Sequence, residues 1–175
     1  MNLIQRFFTG RSSAVDPRDA MRPLWHKVVE VARNPTFYRD DGVADTVAGR
    51  FDMITMVLSV VLLRMERDRV LAQESALLTE LFVEDMDGQL RESGIGDMVV
   101  GKHVGRLMSV LGGRLGALRG VLPAGDQAAL QEALARNMTM AEGRDTASLA
   151  SSVRQMADKI AALDSKALLA GELPL

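Results

Sequence analysis

Three stretches of this 175-residue chain hold side chains whose types and spacing could do chemistry. The first, Gly96-Asp97-Met98-Val99-Val100-Gly101-Lys102, fits GxxxxGK, in which backbone N–H groups cradle phosphate oxygens and the lysine neutralises them. Such a loop follows a strand and needs Ser or Thr after the lysine to hold magnesium. Here a helical pattern precedes it, His103 follows, and Asp97 would set a negative charge inside the cradle. The second is the acidic run Glu80, Glu84, Asp85 and Asp87. Its Asp85-Met86-Asp87-Gly88 core hints at a calcium loop, yet counting from Asp85 puts Leu90 where the turn requires Gly and Gly96 where a bidentate Glu belongs. Carboxylates alone could bind a metal, but a solvated helix face gives the same pattern. The third is the histidines, His26 and His103, with no HxxxH or HxxE spacing to hold a transition metal.

The chain has no cysteine, which excludes a disulfide framework, a thiol nucleophile, a thiolate zinc site and an iron-sulfur cluster. There is no GxSxG elbow either, so no nucleophile and base assemble. The reading is a non-enzyme with no catalytic, cofactor-binding or metal-ligating residue. A net charge of -2 and a pI of 5.7 argue against a nucleic-acid binder that relies on a global basic field, and no sequence-specific nucleic-acid contact is expected. Aromatics make up 4% of the chain and Met reaches 11 residues, so the core must be aliphatic and rich in thioethers, as packed helices allow.

The elements that would position these side chains are all helical. The expected fold is a single-domain all-α bundle of about six helices, near 17–33, 46–70, 74–93, 97–121, 125–138 and 146–170, around the second. That helix carries Met53 to Leu63, MITMVLSVVLL, apolar nearly all round, too short to span a bilayer that needs about 20 such residues. Leu77, Leu78, Leu81, Phe82, Met86 and Leu90 make one stripe of the next helix. Gly94 is placed to close it and Asp97 to cap its successor, giving a hairpin with one acidic and one basic arm. Counting outward from its turn pairs Asp87 with His103 and Glu84 with Arg106, while Arg114 and Arg119 belong to the same basic arm.

The basic arm has a leucine stripe, Leu107, Leu111, Leu115, Leu118 and Leu122, and a second stripe of Gly101, Gly105, Ser109, Gly113, Gly116 and Gly120. Each internal Gly costs about 0.5–1 kcal/mol relative to Ala, so something should offset it. Two explanations stand: close packing within the domain, or a groove for a partner. Asp16-Pro17 reads as a helix start, Asn34-Pro35 as its end, and 35–46 as an ordered loop. Pro123-Ala124-Gly125 reads as a break, and the terminal GELPL as frayed. Residues 1–15 place Leu3, Ile4, Phe7 and Phe8 on one side of a helical turn with Arg6 and Arg11 beside them, and fit either a flexible tail or a foot on a membrane surface. The expected layout is a flexible segment 1–15, a helical domain 16–122, and a C-terminal helical extension 123–175 packed on the same body.

Trp25 to Met65 and Leu81 to Lys102 together resemble the ubiquinol-cytochrome c chaperone family, assembly factors for the cytochrome bc1 complex. The resemblance rests on Arg33-x-Pro35-x-x-Tyr38, on Asp45-Thr46 with Gly49-Arg50-Phe51-Asp52, and on Asp85-Met86-Asp87 with Gly94 to Lys102; it covers about residues 20–120. It implies a chaperone that binds newly made cytochrome b, with a small partner subunit and near the ribosome exit. The lack of a long presequence makes the chain similar to bacterial members, cytoplasmic and peripheral to the inner face of the inner membrane; a eukaryotic member would work on the mitochondrial matrix side. Tyr38, Arg39, Asp45, Arg50, Glu84, Asp87, Arg91, Asp97 and Lys102 are then the candidates for client or partner contact, and Leu3, Ile4, Arg6, Phe7, Phe8 and Arg11 for membrane contact. The alternatives are a structural or regulatory subunit of another membrane-associated complex, or a small enzyme.

Overall fold

The computed structural model describes residues 16–92 and 100–174, with side chains throughout except at 90–92 and 100–103. Asp16 starts the described chain as a cap, accepting the Arg18 N–H at 2.9 Å, and Pro17–Met21 forms a 3-10 turn that leads into α1, Arg22–Ala32. Asn34 ends α1 and also caps a short α2, Pro35–Arg39, through a bond from the Thr36 N–H at 3.0 Å. The expected loop at 35–46 therefore begins as a helical turn. Helix α3 spans Val47–Met65, α4 Ala72–Glu92, α5 Val100–Ala124, α6 Gln127–Asn137, α7 Ala147–Ala161 and α8 Ser165–Leu169. No strand is present among the described residues, and the one extended contact is an isolated antiparallel bridge between Val43 and Met140.

Helix α3 is the centre. It packs against α1, α4, α5 and α7, and every residue from Met53 to Leu62 is buried. Its two interior hydroxyls turn back on the helix: Thr55 donates to the Phe51 and Asp52 carbonyls and Ser59 to the Thr55 carbonyl, so neither needs an outside partner. Thr46 caps its start by accepting from the Gly49 N–H at 3.2 Å. Gly49 has no alternative, since a Cβ there would lie 1.9 Å from the Ala44 carbonyl oxygen. Seven methionines, Met21, Met53, Met56, Met65, Met86, Met138 and Met156, are core residues. Thioether flexibility serves the interior here.

Several boundaries differ from the sequence reading for identifiable reasons. Helix α5 runs through Pro123, because a proline in the last turn gives up one N–H but leaves the terminal carbonyls free. Arg154 of α7 satisfies two of them, donating to the Leu122 carbonyl and, at 3.3 Å, to that of Val121. The stop falls at Gly125, in the left-handed region at φ 71°. The last expected helix is two, split where Asp164 caps α8 through the Ala167 N–H at 2.8 Å. The terminal GELPL is not frayed through Leu173, which is buried, while Gly171 packs on the Pro23 carbonyl.

The loop 40–46 and the loop 138–146 hold each other. Ala44 N–H donates to the Thr139 carbonyl at 2.9 Å and Ala141 N–H to that of Gly42 at 2.8 Å. Ser148 at the start of α7 donates to the buried Asp41 carboxylate at 2.5 Å, and Arg144 to the Asp40 carbonyl. Asp41 thus sets a negative charge at the positive end of α7, whose own cap residue, Thr146, makes no capping bond.

Candidate functional site

Helix α5 shows what each side of a helix is used for. Leu107, Leu111, Arg114 and Leu118 are buried, and Val104, Leu115 and Leu122 are partly so. Gly105, Ser109, Gly112, Gly113, Gly116 and Gly120 are all exposed, together with Met108 at 42%. A Cβ added at Gly105, Gly112, Gly113, Gly116 or Gly120 would meet nothing within 4 Å. Packing against the described residues therefore does not offset the cost of these glycines. Among the described residues an open backbone face runs from Gly105 to Gly120.

The buried side of α5 carries one charge, while Arg106 and Arg119 are exposed. Arg114 is not a solvated member of a basic arm: its side chain is 4% exposed and pairs with Asp52 of α3 at 2.5 Å. It also donates to the Asp52 carbonyl at 2.9 Å and to the Asn137 carbonyl at 2.5 Å. The second Asp52 oxygen accepts from the Thr139 N–H at 2.8 Å and hydroxyl at 2.6 Å. Burial pulls the guanidinium below its ordinary value while the Asp52 carboxylate pushes it back up. One ion pair thereby joins α3, α5 and the 138–146 loop. Its signal was present in the sequence, where Arg114 sits three and four residues from Leu111 and Leu118, on the stripe itself.

The expected contact residues fall into three groups. Tyr38 is half-buried and donates to the Ala32 carbonyl at 2.7 Å, with Arg33, Arg50 and Asp45 close enough to influence its charge; burial raises its hydroxyl. Asp45 and Arg50 form an exposed pair at 2.7 Å, and Arg39 lies against Asp40 at 3.1 Å. The Arg50 contact lowers the Asp45 carboxyl, as Arg39 lowers Asp40. Glu84 does not take the counterion expected from the hairpin: it meets Arg18 of the first turn at 3.2 Å, and Arg106 is exposed. Asp87 is half-buried on α4. Asp97, the 93–97 turn, the side chains of Arg91, Lys102 and His103, and Leu3, Ile4, Arg6, Phe7, Phe8 and Arg11 lie outside the described residues. So do residues 96–99 of the GxxxxGK stretch, while its last three residues open α5.

A shallow cleft of about 550 Å³ beside the end of α1 is lined by His26, Glu30 and Arg33. A cleft of about 270 Å³ lies where α3, α5 and α7 end, floored by Val60, Leu63 and Leu122. Of its three arginines, Arg119 pairs with Glu66 at 2.8 Å and Arg64 donates to the Leu163 carbonyl at 2.7 Å, while Arg67 is exposed. Among the described residues no three acidic or histidine side chains are grouped to hold a metal ion. Nor, among them, is any helix long and apolar enough to cross a membrane.

Among the described residues, a helical body leaves one face of α5 uncovered. Residues 39–175 match the family model described as ubiquinol-cytochrome C chaperone. A crystal structure of the Cbp3 homolog from Brucella abortus superimposes with a TM-score of 0.77 at 32% identity, covering 98% of this chain and 95% of that one. Among curated proteins no match is found. The chain belongs to the ubiquinol-cytochrome c chaperone family. The match continues past Pro123 to the end, so the segment expected to be only a helical extension lies within the family region.

Proposed function

We propose that this protein is an assembly chaperone for the cytochrome bc1 complex that binds newly made cytochrome b through protein contacts and without catalysis. The observation that carries the reading is the uncovered glycine face of α5 on a body of this family. A client made of membrane-spanning helices needs a surface on which a helix can lie close, and small residues permit that approach. Met108, the large apolar side chain exposed on this face, supplies an adaptable contact. The charged candidates have a different part. Arg39, Asp45 and Arg50 are exposed, and charges of that kind change association rate and salt dependence more than affinity. Glu84, Asp87, Arg91, Asp97 and Lys102 are proposed for the same steering part.

The membrane contact through Leu3, Ile4, Arg6, Phe7, Phe8 and Arg11 belongs to the same proposal, as does work at the inner face of the inner membrane, with a small partner subunit or the ribosome exit close by. The separation into a domain at 16–122 and an extension at 123–175 is proposed as a division of labour, with α5 as the working helix. The test is capture of cytochrome b by the tagged chain from detergent-solubilised membranes. The wild-type chain should retain it, and a folded Gly112→Leu/Gly116→Leu variant should lose at least about tenfold of the yield, the loss of about 1.4 kcal/mol. Undiminished capture by that variant would remove the α5 face from the reading, and no capture by the wild-type chain would remove cytochrome b.

A further inference from the structure

We infer that the turn joining α3 to α4 is a second contact with an anionic lipid surface, made by Arg67, Arg69 and Val70. The run Glu66-Arg67-Asp68-Arg69 alternates in charge, and its acidic members are turned toward the body. Glu66 holds Arg119 of α5 through both oxygens, at 2.8 and 3.1 Å. Asp68 accepts from the Val70 N–H at 3.3 Å and from the Ser165 hydroxyl of α8 at 2.6 Å. The charge left facing water is of one sign. Arg67 and Arg69 are exposed, and the side chain of neither makes an ion pair or hydrogen bond with a described residue. Nearby acids do not offset them: Glu74, the next along the chain, has a buried carboxylate oxygen, and Asp158 lines the same cleft as Arg67 without pairing with it.

Val70 stands beside these cations and is 78% exposed, although the next residue, Leu71, is buried. The turn is fixed in that attitude. Arg69–Leu71 is a 3-10 turn capped by Asp68, closed by the Leu71 N–H on the Asp68 carbonyl at 3.0 Å. One exposed aliphatic side chain is ordinary by itself. Next to two unpaired arginines on a fixed turn it gives the composition of an interfacial contact, in which the apolar group enters the headgroup boundary and the cations meet lipid phosphates. Other anionic partners fit less well. Neither the turn nor the cleft beside it holds an aromatic side chain on which a nucleic-acid base could stack, and an acidic peptide in that cleft would meet Glu66 and Asp158. The position also suits the proposed foot. Residues 1–15 leave the body beside Arg18, which lies on Glu84, about 18 Å along α4 from Ala72, and a chain spans about 3.3 Å per residue, so foot and turn can reach one plane. The inference rests on the proposed work at the membrane and adds a site to it.

The test is flotation of the full-length chain with phosphatidylcholine vesicles made with or without phosphatidylglycerol. The wild-type chain should bind the anionic vesicles at least about tenfold more tightly than the neutral ones, since each basic side chain near an anionic surface strengthens binding by roughly fivefold. Arg67→Glu/Arg69→Glu should lose at least about tenfold of that affinity and Val70→Asp at least about threefold. Folding is spared in both, because the three side chains are exposed and Asp68 keeps its cap. The control is Arg33→Glu/Arg136→Glu, an equal change of net charge at exposed sites elsewhere, which should stay within about twofold of the wild-type chain. Turn variants that bind like the wild-type chain overturn the inference, and so does a control that loses as much, because net charge alone would then explain the binding. Equal binding of the wild-type chain to both kinds of vesicle overturns it as well. Phe7→Ser/Phe8→Ser tests the foot separately. If the wild-type chain binds no vesicle, foot and turn fall together, while capture of cytochrome b, measured in detergent, stands or fails by itself.

Discussion

Helices α3 and α5 are the two long aliphatic helices of the body and they pack on each other, yet they are used in opposite ways. Helix α3 gives every face between Met53 and Leu62 to the interior; α5 buries one arc and leaves its glycines bare. Aliphatic composition alone does not separate them. The difference lies in what interrupts it. The interruptions of α3 are Thr55 and Ser59, small hydroxyls that bond to their own helix and can be surrounded by neighbours. Those of α5 are glycines, which have nothing to bury, and arginines, one of which is buried in an ion pair with Asp52. A helix built to be enclosed and a helix built to be approached can thus share a hydrophobic stripe.

The comparison breaks most visibly at Leu58. It is fully buried in α3, so Leu58→Ala should lower the unfolding free energy by about 2–5 kcal/mol. Chemical denaturation measures it, and a change below about 1 kcal/mol would mean that α3 is not enclosed.

Glycines of the two helices should respond with opposite signs. Gly49→Ala sets a Cβ against the Ala44 carbonyl oxygen, which is backbone and can yield only by moving the 40–46 loop, and should cost about 1–3 kcal/mol. Gly116→Ala meets open space and should stabilise by about 0.5–1 kcal/mol. Melting temperatures of the two variants, compared under one set of conditions, decide the matter; a destabilising Gly116→Ala would show that something in the chain does cover that face.

How far these uses were legible in the sequence follows from the same contrast. The enclosed helix could be read from the run Met53 to Leu63, because an element apolar all round has nowhere else to go. The cap at Asp16 was legible as a residue type at a helix start. The direction of the glycines was not, since small residues fit both a tight helix crossing and an open face, and only coordinates show which neighbour is absent. Partners of charges were hidden for a related reason: Arg114 lies 62 residues from Asp52, and Arg18 reaches Glu84 from the far end of the chain, whereas counting outward from a hairpin considers only its two arms. The split of the last helix at Asp164 needed tertiary context, as its N-terminal neighbour Leu163 gives up its carbonyl to Arg64.

The exposed pair Asp45–Arg50 sharpens the comparison at the start of α3, where enclosure has not yet begun. Both side chains are more than half exposed, so Arg50→Gln should leave stability nearly unchanged. If this pair belongs to the rim that steers a client, the same variant should flatten the salt dependence of cytochrome b association while leaving the melting temperature nearly unchanged. Association rates with the salt dependence of the wild-type chain would remove Arg50 from the rim.

The smallest effect concerns the opposite end of the described chain, at Asp16. Hydrogen bonds from Arg18, first through its side chain and then through its N–H, hold this carboxyl at about 2, below its ordinary 3.8. Because the folded value is the lower one, the contribution of Asp16 is fully present above the unfolded value and is lost as pH falls through the folded one. Stability should therefore decline from about pH 4 toward pH 2. Asp40 and Asp45, lowered by Arg39 and Arg50, add slope of the same sign. Asn is also a good helix cap, so Asp16→Asn should leave the turn at Pro17–Met21 formed while removing the titration. Urea midpoints of the variant and the wild-type chain, measured at pH 6 and again at pH 2.5, should lie farther apart at the higher pH. An equal separation at both would show that Asp16 acts through cap geometry alone, and that its ion pair with Arg18, and through Arg18 with Glu84 of α4, adds nothing to holding the first turn on the body.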